Sequence, residues 1–138
     1  MADTLTKKTF LFELVSPERI LASEEAAMVV VPGEAGEFGV LADHAPLLSS
    51  IRPGVVSVHL PSGEVKKIFV AGGFADVSGK LCSVLAEEAV NVNELNRAEL
   101  ETHLKNLNDD LGFAGEDALK KAKVTADITI IQAKLAAV

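Results

Sequence analysis

The feature that most limits the fold of this chain is a change of period near residue 90. Before that point the segments are short, rich in Val, Ile and Phe, and cut by Gly and Pro; after it Gly and Pro nearly vanish and helix formers take over. Alternation with a period of two marks half-buried strands, whereas recurrence every three or four residues marks a helix. A chain of 138 residues has material for one proper core and a short appendage, not for two large cores. The expected division is therefore a strand domain over residues 1–88 and a helical domain over residues 89–138.

In the first half, residues 9–15 place Phe10, Phe12 and Leu14 on one face before Ser16-Pro17 ends the run. Further strands are expected at residues 20–22, 26–31, 55–60, 65–71, 74–77 and 81–85. Pro61-Ser62-Gly63-Glu64 and Ser78-Gly79-Lys80 read as turns between them. Many short strands with regular turn signals indicate an antiparallel β-sandwich or flattened barrel.

In the second half, Asn91 is the expected cap of a first helix, with Glu94 answering it in a capping box. Leu100, Leu104, Leu107 and Leu111 then form one apolar seam. Gly112 and Gly115 bracket a reversal, and a second helix starts at about Glu116, so the two lie as an antiparallel hairpin. The second helix carries two stripes. Leu119, Ala122, Ala126, Thr129, Ala133 and Ala136 cluster on one side, and Val124, Ile128, Ile131, Leu135 and Val138 on another, about 170° away at 100° per residue. The small-residue stripe suits close approach to the first helix, which leaves the bulkier stripe in need of a cover. That cover is the strand domain, or another subunit or partners exchanged between two states; alternatively, β-branched Ile128-Thr129-Ile130-Ile131 is a strand. The three-four spacing runs unbroken through that segment. Residues 118–138 also hold four lysines against one aspartate, which suits an acidic partner or a solvated face.

Composition removes several functions. Thirteen basic against twenty acidic residues, a net charge of −7, is the wrong sign for a phosphate-backbone binder. With no Trp or Tyr, few platforms exist for stacking bases. Cys82 is alone, so no intrachain disulfide or cysteine zinc cage can form, and a reducing compartment fits. The polar start carries no targeting pattern, and the longest apolar stretch falls far short of the roughly 20 residues of a membrane helix. Any membrane association is expected to pass through a partner.

Signals for chemistry are sparse. No phosphate loop, dinucleotide fingerprint or nucleophile elbow is present. Gly33, Gly36 and Gly39 are evenly spaced, but the loop is acidic, and Glu34 and Glu37 would repel a phosphate. His44 follows Asp43 without a positioned nucleophile, and His59 and His103 lack ligand spacing. The adjacent carboxylates Glu24-Glu25, Glu87-Glu88 and Asp109-Asp110 point apart on any regular element. Cys82 reads as a core thiol. No catalytic residue, metal site or cofactor site is expected.

The strand half does carry a connected pattern: Leu14-Val15-Ser16-Pro17-Glu18-Arg19, then Val29-Val30-Val31-Pro32-Gly33. Gly36-Glu37-Phe38-Gly39-Val40-Leu41-Ala42-Asp43-His44-Ala45-Pro46-Leu47, Arg52-Pro53-Gly54 and Val70-Ala71-Gly72-Gly73-Phe74 follow. In this order and at this length the chain resembles the epsilon subunits of bacterial F-type ATP synthases, whose mitochondrial equivalent is called delta. The glycine-spaced segment also makes physical sense alone: a stiff, protruding, acid-edged loop suits docking better than catalysis.

The resemblance implies a non-catalytic rotor subunit on the cytoplasmic face of the bacterial inner membrane. The sandwich would clamp the gamma subunit to the membrane rotor ring of subunit c, with Glu37, Phe38, His44 and Pro46 at ring-facing positions. The hairpin would regulate hydrolysis by folding back or by extending transiently into the catalytic alpha/beta hexamer, with Val124, Ile128, Ile131 and Leu135 as the exchangeable helix face. Some members bind ATP through an aliphatic-Asp-x-x-Arg-Ala segment with a second arginine one heptad on. Here the segment reads Asn93-Glu94-Leu95-Asn96-Arg97-Ala98, and Leu104 takes the place of the second arginine. Arg97 is the one remaining nucleotide candidate, and it reads better as a helix-surface charge. Two other readings stand beside this one: a free-standing small-ligand or nucleotide-binding module with a helical lid, and a hydrolase using Asp43 and His44.

Overall fold

Ten strands and two helices account for most of the computed structural model, which describes residues 8–138; the polar start expected to lack a targeting signal falls mostly outside the described residues. The strands are β1 (Phe10–Val15), β2 (Ile20–Ala26), β3 (Met28–Gly33), β4 (Gly36–Val40), β5 (Leu47–Ser50), β6 (Gly54–His59), β7 (Val65–Val70), β8 (Gly73–Val77), β9 (Leu81–Ala86) and β10 (Ala89–Asn91). A 3₁₀ turn at Val92–Glu94 precedes α1 (Arg97–Phe113) and α2 (Ala118–Ala137). The chain divides into two compact units between Val90 and Asn91.

The strand unit is a sandwich of two five-stranded sheets, ordered β2-β1-β9-β8-β5 and β10-β7-β6-β3-β4. It is not purely antiparallel, as the sequence had suggested, because β1 and β9 run parallel from Leu11↔Leu81 to Val15↔Leu85. Parallel neighbours need a long crossover, and here that crossover contains β2 to β8, so no local turn announces the pairing. The chain also changes sheet within one residue: Ala26 ends β2, Met28 begins β3, and the Ala27 N–H donates to the His59 carbonyl at 2.7 Å. The expected strand at residues 26–31 is thus the end of one strand and most of another. Strand β3 pairs with β6 only over Met28–Val30, so Pro32 lacks its N–H where no β6 partner remains.

Alternating side chains from both sheets meet in a dry interior that includes Phe12, Leu14, Val29, Val31, Val56, Val58, Val70, Val77, Cys82 and Val84. Among the described residues no polar or charged side chain is buried apart from the Cys82 thiol. On β1 the inward Phe10, Phe12 and Leu14 alternate with outward Leu11, Glu13 and Val15, so a one-residue slip would exchange the two faces.

The helical unit departs from the sequence reading at the first cap. Asn91 makes no side-chain capping bond; its Nδ2 instead donates to Glu94 Oε1 at 3.1 Å. The cap of α1 is Asn96, whose Oδ1 accepts from the Glu99 N–H at 3.1 Å, and Asp117 caps α2 through the Lys120 N–H at 3.1 Å. Asn91 and Asn96 both offer a cap followed three residues on by Glu, and local pattern cannot separate them. The two stripes of α2 are also reversed. Leu100, Leu107 and Ile131 are the buried cluster, with Leu95, Leu104, Val124, Ile128 and Leu135 packed on it. The bulky stripe is therefore the one that meets α1, because its branched side chains bury more apolar area than a row of alanines. On the small-residue stripe Leu119 is 84% exposed, and Ala122, Ala126 and Thr129 are exposed with it. Residues 128–131 are helical, not a strand.

Gly73 is the tightest backbone position in the sandwich. It adopts φ +125°, and a Cβ there would overlap the main-chain oxygen of Leu85, the residue before its ladder partner Ala86. Gly73→Ala should lower stability by about 3 kcal/mol or more, combining backbone strain with a clash that cannot relax. Urea unfolding followed by circular dichroism measures this loss.

Candidate docking surfaces

The segment predicted as a protruding loop is mostly a β-hairpin. Strands β3 and β4 pair from Val29↔Val40 to Gly33↔Gly36, leaving Glu34 and Ala35 at the tip. The tip is braced by main-chain bonds: Glu34 N–H donates to Ser50 at 2.9 Å and Arg52 N–H to Pro32 at 3.0 Å. Gly33 allows this closeness, since a Cβ there would lie 2.7 Å from the Gly36 oxygen and 2.8 Å from Phe38 Cε1. Phe38 is half-buried against the sandwich core, so it supports the hairpin. Glu34 and Glu37 are exposed and give this end of the sandwich an acidic edge.

His44 and Pro46 do not share that end. They follow β4 in the segment 41–46, beyond Val40, while Glu37 sits next to the tip. Three residue steps of strand carry the chain from Glu37 to Val40, roughly 10 Å, before this segment begins. The segment is fastened at the opposite end, where the Asp43 N–H donates to Gly79 at 2.9 Å. Asp43 adopts the left-handed φ of 65°, and its carboxylate accepts from Lys8 Nζ at 3.0 Å. His44 Nδ1 lies 2.6 Å from the Ala45 carbonyl, which assigns the proton to that nitrogen. Both side chains are thus engaged elsewhere, and the Asp43–His44 hydrolase gains no support.

A second surface was not foreseen. On the outward face of the β2-β1-β9-β8-β5 sheet, the registers align Ile20, Val15, Leu85 and Phe74 in a single row across four strands. Leu48 continues it diagonally on β5, paired with Asp76 beside Phe74. Phe74 is 52% exposed and Leu48 70% exposed. Val15, Leu48, Phe74, Asp76, Ser83 and Leu85 together line one shallow groove. A sheet face turned to water is normally polar. The sequence signal was present in Val84-Leu85-Ala86, where alternation gives way to a continuous apolar run.

The remaining candidates are placed as follows. Arg97 is in the first turn of α1, its Nη1 3.9 Å from Glu101 and its Nη2 2.8 Å from the main-chain oxygen of Val138. Ile131 is buried, and Val124, Ile128 and Leu135 are partly buried against α1. No cluster of metal-ligating side chains exists among the described residues, and no helix there is long and apolar enough to cross a membrane.

Residues 9–92 match the family of the β-sandwich domain of the ATP synthase delta/epsilon chain. The chain belongs to this family. An ATP synthase epsilon chain from Rhodospirillum rubrum is 46% identical over 130 residues, spanning 94% of this chain and 96% of the relative. The similarity thus runs through the helices as well as the sandwich. A chain of the Euglena gracilis mitochondrial ATP synthase assembly of OSCP, F1 and c-ring has the same fold, with a TM-score of 0.83 at 22% identity over 94% of this chain and 81% of that one. A chain of the central stalk and c-ring of the Tetrahymena thermophila mitochondrial enzyme matches at a TM-score of 0.55 and 14% identity, covering 92% and 98% of the two chains. Membership makes this chain an epsilon-type, non-catalytic subunit of an ATP synthase.

Within this family member the single cysteine is chemically quiet. Burial, and secondarily the charge of Asp76, pushes the Cys82 thiol up to about 12 from 9.0. A thiol whose folded pKa is raised contributes stability that is intact below pH 9 and is lost between about pH 9 and 12, as the unfolded thiol ionises first. Cys82→Ala should flatten the fall in denaturation midpoint across that window. Alkylation of the native protein at pH 8 should be at least about tenfold slower than that of the urea-unfolded chain.

Proposed function

We propose that this chain is a coupling element of the central stalk of a bacterial proton-translocating ATP synthase, joining the shaft to the membrane ring. Its partners are then stalk subunits and the c-ring, and its membrane association is peripheral. The observation that carries the reading is the apolar row Ile20-Val15-Leu85-Phe74, held on a rigid sheet and left uncovered among the described residues. An apolar strip of this kind marks a protein interface, and it suits the gamma subunit, which must be gripped without slipping. The braced acidic tip with Glu34 and Glu37 is the ring-facing end, where polar loops of subunit c would meet it. His44 and Pro46, at the opposite end, form a separate contact region. The assembled chain sits on the cytoplasmic face of the inner membrane and reaches the membrane only through partners.

The hairpin is the regulatory part of this proposal. Val124, Ile128, Ile131 and Leu135 are covered by α1 in the closed hairpin, and the same face would be re-covered by gamma and the alpha/beta hexamer if α2 moved away. A free-standing ligand module with a helical lid is disfavoured by what the surfaces offer. The apolar groove has no cationic group among its lining residues, whereas a ligand pocket supplies converging polar groups.

Two experiments test the proposal. Phe74→Glu with Leu85→Glu should leave the fold intact by circular dichroism but weaken capture of the chain by gamma at least about tenfold, as expected for central apolar anchors. Unaltered binding would refute the assignment of this face. Truncation after Asn91, which retains β10, should preserve assembly and ATP-driven proton pumping while raising hydrolysis by the isolated catalytic sector. Unchanged hydrolysis would remove the regulatory role of the hairpin.

A further inference from the structure

We propose that Arg97 is a clasp across the open end of the hairpin, capping the C-terminus of α2 from the first turn of α1. Its Nη2 donates to the main-chain oxygen of Val138 at 2.8 Å, across 41 residues of sequence. Val138 is the C-cap residue of α2, and an arginine bonded to its oxygen places a cation at the negative end of the helix dipole. The contact is therefore favourable for α2.

For α1 the same residue is badly placed. A cation in the first turn opposes the positive N-terminal end of the dipole. The other groups at that end follow the usual logic, with Asn96 as the cap and Glu99 as the acidic residue of the first turn. Arg97 departs from it, and the bond to the end of α2 offsets the departure. Glu101, one turn on, places its carboxylate 3.9 Å from Nη1, a weak exposed ion pair. The connection at residues 114–117 already closes the other end of the hairpin covalently. Separation must begin at the end where Arg97 sits.

Arg97 thus rewards the closed arrangement and is penalised in any arrangement that takes α2 away. It biases an equilibrium between closed and open hairpins without touching the apolar seam of Leu100, Leu107 and Ile131. This assignment concerns the isolated chain and does not rest on the regulatory reading above. It also gives Arg97 a task unrelated to nucleotide.

The test is amide hydrogen exchange of the full-length chain at low ionic strength, comparing Arg97→Lys, Arg97→Gln and Arg97→Glu with the parent, and using the sandwich amides as an internal control. The clasp predicts that α2 amides around Ile128–Ile131 exchange about two- to fivefold faster in Arg97→Gln, the range a helix-end charge supports. Exchange should be faster still in Arg97→Glu, and close to the parent in Arg97→Lys. High salt should bring the parent toward Arg97→Gln, because the group is exposed and screened. If Arg97 acted only on its own helix, the order would reverse, with Arg97→Glu the most protected. That reversal, or equal exchange in all four proteins, overturns the proposal.

Discussion

The pairing of β1 with β9 is the constraint on which the sandwich depends. It joins residues about seventy positions apart in the chain, and it unites a sheet that would otherwise be a β2-β1 hairpin and a three-stranded β9-β8-β5 piece. The inward side of this junction sets Phe12 beside Cys82 and Leu14 beside Val84, in the middle of the interior. Its outward side sets Val15 beside Leu85, which starts the apolar row that Phe74 and Ile20 extend. One register thus determines both what the protein hides and what it offers. The entropy of loop closure makes such a parallel, non-local pairing slow to form.

Much of the architecture could be read from the residues because the two halves use different periods. Alternation in Phe10, Phe12 and Leu14 identified the core face of β1, and the four-three-four leucines identified the packed face of α1. What escaped was either non-local or degenerate. No turn signal reports a parallel neighbour. Strands β4, β5 and β10 were not predicted, since Gly36, Gly39 and the short segments around Leu47 and Ala89 have low strand propensity and are ordered by their neighbours. The helix cap was misplaced because two asparagines five residues apart present the same local pattern.

The surfaces were less legible than the fold. Glu37 and His44 lie seven residues apart and were grouped together, yet a strand converts that spacing into opposite ends of the sandwich. Phe38, expected as a contact residue, is half-buried against the core and also braces the tip. The stripes of α2 were assigned to the wrong covers because small residues were given precedence over buried area. Conversely, the row across β2, β1, β9 and β8 is contributed by residues from four segments. None forms a local motif, and only the registers reveal that they are adjacent.

The sandwich interior holds no acid, base or histidine among the described residues. A core built in this way has nothing to titrate between pH 5 and 8, where buried carboxylates and imidazoles ordinarily couple folding to proton concentration. For a subunit of an ATP synthase, this makes the sandwich core indifferent to acidity in that range. On the proposed coupling role, swings in acidity within that range would change no charge inside the sandwich.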